Sequence, residues 1–131
     1  MTYFGSFPVA LPMIVGSWGV VAGKIVEQGK KATLTKGMNV MAQVPDGAYS
    51  EYVRVPSSFV ISYPEKINAA EATALLTQGQ TAYHTLKTAG RLQVGESVLI
   101  HAGAGGVGSL AIQMAKALGA GTIIATASTQ R

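Results

Sequence analysis

The sequence predicts an α/β chain in which an all-β stretch precedes the first βαβ unit of a doubly wound parallel sheet. Three observations carry this. Residues 97–131, SVLIHAGAGGVGSLAIQMAKALGAGTIIATASTQR, place an apolar run, a glycine-rich turn, a helix-period segment and a second apolar run in that order. This is the pattern of strand, turn, helix and parallel strand. The turn holds Gly103-Ala104-Gly105-Gly106-Val107-Gly108, a complete G-x-G-x-x-G between strand and helix. Residues 1–62 instead carry short valine- and isoleucine-rich runs separated by turn signals, which read as β-strands.

Taken in order, 19–27 (GVVAGKIVE) is an expected strand closed by the Gln28-Gly29 turn. A second, 38–44 (MNVMAQV), stops at Pro45-Asp46-Gly47. Alternation in 49–55 (YSEYVRV) predicts a third, with Tyr49, Glu51, Val53 and Val55 on one face. Pro56 ends it, because proline donates nothing to a ladder. A short strand at 59–62 follows. Tyr63-Pro64-Glu65-Lys66 marks a break, so the predicted domains are 1–63 and 64–131. Asn68 with Glu71 three residues on forms a capping box before an alanine-rich helix. Gly79 interrupts that helix and predicts two pieces, 69–76 and 81–89. After the glycine turn, Val107, Leu110, Ala111, Met114 and Leu118 recur at helical spacing as a predicted core stripe. Gly119 stands where a left-handed C-terminal cap belongs.

Composition excludes several function classes. Ten basic residues against six acidic give a net charge of +4, but they are scattered, Lys30-Lys31 being the densest pair. No basic stripe interleaved with aromatics suggests nucleic-acid binding. The absence of cysteine excludes disulfides and a cysteine-type zinc cluster. His84 and His101 show no ligand spacing, so no metal is expected. His101 closes the first strand of the βαβ unit and reads as a packed or hydrogen-bonded strand-end residue rather than an acid–base catalyst. Residues 7–23 are apolar, but Pro8, Pro12, Gly16, Gly19 and Gly23 break them too often for a spanning helix. No basic segment precedes them as in a signal peptide. No membrane partner is expected, and the expected location is the cytoplasm.

The glycines of the turn have separate physical reasons. Gly103 allows a sharp turn out of the strand, Gly105 lets a pyrophosphate approach the backbone, and Gly108 lets the helix pack close to the sheet. The helix N-terminus adds free N–H groups and a positive dipole end. A dinucleotide is therefore the expected ligand. A site for a free ribose 2′-hydroxyl has an acidic residue roughly 20 positions on. Here the end of the second strand reads Ala125-Thr126-Ala127-Ser128-Thr129-Gln130-Arg131, with no acid. Ser128 and Thr129 can donate to a 2′-phosphate and Arg131 can pair with it, so NADPH is expected over NADH.

PMIVGSWGVVAGKIVEQG, GMNVMAQVPDGAYSEYVRVP, EATALLTQGQTAYHTL and GESVLIHAGAGGVGSLAIQMAKALGAGTIIATAST, in this order, resemble the medium-chain dehydrogenase/reductase superfamily. Within it, the likeness is to the zinc-free, zeta-crystallin-like quinone oxidoreductases. It runs from about residue 2 to residue 131 but over well under half of a full-length member, so the chain reads as an internal part of one. The resemblance implies a partial GroES-like catalytic domain at 1–63, then linker helices and the start of a Rossmann NADP-binding domain at 64–131. By matching, Thr81 in QTAYHTL is a cofactor-contacting threonine. Gly105, Gly106, Val107, Gly108 and Ser109 match the phosphate turn, with Gly103 opening it. Ser128, Thr129 and Arg131 match the 2′-phosphate segment, and Tyr3 a tyrosine of the nicotinamide and quinone pocket.

The implied reaction is zinc-independent hydride transfer from NADPH to a quinone or similar conjugated acceptor, in a homo-oligomer. The chain departs from the family pattern at Ser17-Trp18, where members carry an acidic residue. It departs again at Gly37-Met38-Asn39-Val40, where Gly-Asp-Arg-Val is usual. Two alternatives stay open. One is an enoyl reductase of the same superfamily, such as that of a polyketide synthase. The other is a truncated, non-catalytic nucleotide- or partner-binding chain, suggested by the strand edges that an incomplete sheet leaves unpaired.

Overall fold

β1 (Gly19–Lys24) and β2 (Asn39–Val44) pair antiparallel, from Gly19↔Val44 to Lys24↔Asn39. β3 (Val60–Ser62) joins the other edge of β2, from Val40↔Ser62 to Ala42↔Val60. The computed structural model describes residues 19–30 and 32–128. These three strands belong to the first of two compact units, Met1–Thr73; the second is Ala74–Arg131. The strand period of two is plain in β2, where Ala42 and Val44 are buried and Gln43 between them is exposed. β1 stops at Lys24, short of the expected 27. Ile25 still donates its N–H to the Met38 carbonyl (3.1 Å) and accepts from Gly37 (2.8 Å).

Residues 49–55 do not form the expected strand. A turn in which Ser50 N–H donates to the Gly47 carbonyl (3.0 Å) opens the segment, and Tyr49 and Tyr52 are 74% and 73% exposed. β2 already has β1 on one edge and β3 on the other. Among the described residues, 49–55 has no ladder partner, and an alternating sequence without one does not hold as a strand.

Asn68 and Glu71 close the expected capping box in both directions. Glu71 N–H donates to Asn68 Oδ1, and Asn68 N–H to Glu71 Oε2, each at 2.9 Å. Asn68→Ala should therefore lower the unfolding free energy by about 1 kcal/mol in a urea titration; unchanged stability would mean the helix start is held by other groups. From there α1 (Ala69–Ala74), a π-helical turn (Leu75–Gly79), α2 (Gln80–Tyr83) and a second π-helical turn (His84–Ala89) follow one another without a gap. The expected interruption at Gly79 does not occur. Gly79 is buried in right-handed helical geometry (φ −66°, ψ −46°). A Cβ there would stand 3.6 Å from Met114 Cε, an ordinary packing distance. The cost of one glycine in a helix, about 1 kcal/mol, does not end the run here.

β4 (Ser97–Ile100) pairs parallel with β5 (Thr122–Ala125), from Ser97↔Thr122 to Ile100↔Ala125, and α3 (Gly106–Ala117) makes the crossover. Gly119 takes φ +85° and ends α3 as expected. Its N–H donates to Lys116 O (3.1 Å) and that of Ala120 to Ala115 O (3.0 Å), the two bonds of a Schellman cap. Ala82, Leu86, Leu92, Ile100, Ala111 and Ala115 form the core of this unit, with Val98 and Ile123 packed against it. Leu99 and Ile124, opposite each other in register, face the other way and are each 55% exposed. Apolar residues on both faces suit parallel strands; among the described residues, one face is covered.

The predicted core stripe needs one correction. Val107 is 38% exposed, and the buried residues of α3 are Gly108, Ala111 and Ala115. Small residues face the sheet, which lets the helix lie close to it. Among the described residues no helix is long and apolar enough to cross a membrane.

Candidate functional site

Between β4 and α3 the chain folds back on itself. The left-handed residue of this turn is Ala102 (φ +54°), not Gly103. For a residue with a Cβ this conformation costs roughly 1–2 kcal/mol, and nothing in the sequence pattern marks Ala102. Its carbonyl accepts the Gly105 N–H at 2.9 Å. Gly103 serves a close approach instead. A Cβ there would stand 2.9 Å from Ala125 Cβ and 3.1 Å from Ile112 Cδ1, so its absence lets the turn rest on both β5 and α3. On Gly108 a Cβ would strike the Ala102 carbonyl oxygen and come within 2.9 Å of Gly103 Cα. Helix α3 can begin this near the strand only with glycine at that position.

Gly105 differs from both. Its backbone is extended (φ −82°, ψ 169°), and a Cβ there would meet only Ala102 O, at 3.2 Å. The fold asks less of a glycine here than at Gly108: one backbone oxygen would have to give by a few tenths of an ångström. Gly105 begins α3 with no side-chain cap, and the first paired amide is Ser109 N–H to Gly105 O (2.9 Å). The N–H groups of Gly106, Val107 and Gly108 are thus without a main-chain acceptor among the described residues. No acidic side chain lies in the first turn of α3, and Lys116 lies in its last. The helix therefore presents the positive end of its dipole, unneutralised, at the glycine turn.

The remaining expected site residues are placed unevenly. Ser109 Oγ donates to Gly106 O (3.2 Å), turned toward its own helix. Thr81 is exposed on α2 and donates Oγ1 to Thr77 O (2.8 Å), so its proton is engaged within the helical run. Gln78, to which no spacing argument pointed, comes against the turn: its Cγ lies 3.3 Å from where a Cβ on Gly106 would be. Past β5, Thr126, Ala127 and Ser128 are exposed and bring no carboxylate. His101 is hydrogen-bonded, as expected, through Nδ1 to Thr126 Oγ1 (3.1 Å), but exposed rather than packed. Tyr3, Thr129 and Arg131 lie outside the described residues. Among the described residues no group of three His, Asp or Glu side chains is placed to hold a metal ion.

A cavity of about 550 Å³ also adjoins the turn. Residues 96–102 line it in succession, facing Ala82, Leu86 and Val107. Residues 97–100 of this wall are β4, which pairs only with β5 among the described residues, so its other edge is open here. The space is therefore a groove along a strand edge rather than a cleft closed around a ligand.

No family model matches the chain; individual proteins do. A highly reducing polyketide synthase of Aureobasidium melanogenum is 49% identical over 100 residues, 76% of this chain and 4% of that protein. A probable quinone oxidoreductase of Schizosaccharomyces pombe is 40% identical over 127 residues, 95% of this chain and 38% of that protein. The chain thus spans about two fifths of the length of this second relative. Among solved structures, the quinone oxidoreductase of Pseudomonas syringae superimposes with a TM-score of 0.78 at 36% identity, over 94% of this chain and 38% of that one. The CurK enoyl reductase gives 0.75 at 37% identity, over 84% and 33%. The quinone oxidoreductase of Thermus thermophilus, solved alone and with NADPH, gives 0.65 at 37% identity, over 73% and 32%.

A glycine turn is common to many unrelated nucleotide-binding chains, but here the likeness runs through the antiparallel unit as well. The chain belongs to the medium-chain dehydrogenase/reductase superfamily, alongside quinone oxidoreductases and enoyl reductases.

Proposed function

We propose that this chain supplies the phosphate-binding part of an NADPH-dependent oxidoreductase that passes hydride to a quinone or similar conjugated acceptor. One observation carries the reading: α3 starts at a glycine turn with three N–H groups that find no acceptor among the described residues, and the adjoining end of β5 has Ser128 exposed and no carboxylate. The N–H groups of Gly106, Val107 and Gly108 suit a pyrophosphate. A ligand passing over Gly105 meets no side chain there. Ser128 can donate to a 2′-phosphate, and Thr129 and Arg131, outside the described residues, complete that segment in this reading. Thr81 offers the lone pairs of its hydroxyl, and Tyr3 is assigned to the acceptor pocket. NADPH in the Thermus relative supports the choice of nucleotide. When bound, the nicotinamide supplies the hydride; the protein binds and orients it.

Calorimetry of the whole chain with each nucleotide tests this. NADPH should bind at least tenfold more tightly than NADH. Equal affinities would overturn the 2′-phosphate assignment, and no binding by a folded sample would overturn the site. A second reading, reduction of an enoyl thioester, is favoured by the 49% identity to a polyketide synthase, against 40% to the yeast quinone oxidoreductase. NADPH consumption with a para-quinone against an enoyl thioester decides between them, and the quinone is expected to be the faster acceptor.

A further inference from the structure

Thr126 is tied to the start of the βαβ unit by every polar group it has. Its N–H donates to the Ile100 carbonyl (3.0 Å), and its carbonyl accepts the Gly103 N–H (2.7 Å). Its hydroxyl pairs with His101 Nδ1 at 3.1 Å; either imidazole tautomer satisfies that bond, since a hydroxyl both donates and accepts. The first two bonds continue the ladder. The third joins two exposed side chains and is not needed for β-pairing. Gly103 lies against the same place, its missing Cβ 2.9 Å from that of Ala125. The turn with the free amides and the exit of β5 are thus fastened together at one residue.

This inference rests on the NADPH reading above. The two ends of the nucleotide's phosphate system would meet two different segments: the pyrophosphate at Gly106–Gly108, the 2′-phosphate around Ser128. Two extended residues span at most about 7 Å, so the anchor at Thr126 limits where Ser128 can be. We infer that the His101–Thr126 side-chain pair is a positioning latch for nucleotide selectivity. It holds the 126–128 segment at the distance from the glycine turn that a 2′-phosphate requires. NADH has no such phosphate and draws nothing from the latch. A hydrogen bond of this kind is worth roughly fivefold in an equilibrium constant.

The test is nucleotide affinity by calorimetry, with thermal unfolding alongside, for the whole chain and its variants. Thr126→Val keeps the shape and strand preference and removes the hydroxyl. It should weaken NADPH about fivefold while NADH changes less than twofold. Thr126→Ser should restore the wild-type ratio. His101→Ala should match Thr126→Val, and the double variant should be no worse than either single one, because both remove one bond. Equal weakening of NADPH and NADH together with a lowered Tm would overturn the latch and leave a merely structural pair. Weakening by His101→Ala alone would also overturn it, since the ring would then act on the phosphate directly. If the wild type prefers NADPH and no variant moves the ratio, the latch fails and the site stands. If the wild type binds neither nucleotide, the site fails and takes the latch with it.

Discussion

Gly108→Ala should cost roughly 3 kcal/mol of unfolding free energy and abolish nucleotide binding, the larger of two contrasting effects within one turn. The added methyl would strike the Ala102 carbonyl oxygen and lie 2.8 Å from its carbon and 2.9 Å from Gly103 Cα. All three are backbone atoms, so no side chain can swing away. Ala102 already holds a left-handed conformation and has little room to yield. Relief must come from moving α3 off the sheet, where Ala111 and Ala115 are packed, and overpacking of this kind costs about 1–3 kcal/mol or more. Urea unfolding followed by circular dichroism measures it. Wild-type stability in this variant would mean that α3 does not begin where the structure puts it.

Gly105→Ala should separate binding from folding. The residue is in extended backbone that any amino acid adopts, and the methyl would meet only Ala102 O at 3.2 Å. Stability should fall by less than about 1 kcal/mol, within the range of ordinary surface substitutions and small packing adjustments. NADPH affinity should fall about 100-fold, equivalent to about 2.7 kcal/mol, because in the proposed site the methyl would stand where the pyrophosphate approaches the backbone. A variant that folds and binds NADPH normally would remove Gly105 from the site. The pair distinguishes a glycine required by packing from one required by a ligand, although the two look alike in the motif.

The features legible in the sequence are those whose cause lies within a few residues. Asn68 and Glu71 satisfy each other's amides three positions apart. Gly119 ends α3 because only the local backbone has to turn left-handed. Strand, glycine turn, helix and strand announce themselves through a change of hydrophobic period, and the missing carboxylate after β5 can be read directly. These signals are enough for the fold class and for the place of the glycine turn between β4 and α3.

What the tertiary structure alone decided depends on partners far along the chain. Residues 49–55 alternate like a strand, yet the edges of β2 are taken by β1 and β3, and pairing is a property of the sheet rather than of the segment. Gly79 has the propensity of a helix breaker, but it is buried in right-handed helical geometry beside Met114, 35 positions later, and the helix continues. Val107 keeps helical spacing with the core and still turns outward, because the glycine at 108 brings the next face of α3 onto the sheet. Gln78 meets the turn at Gly106, and Thr126 meets His101 across 25 residues. Local preference determined which elements could form; long-range packing and hydrogen bonding decided which did, and which side chains stand beside the glycine turn.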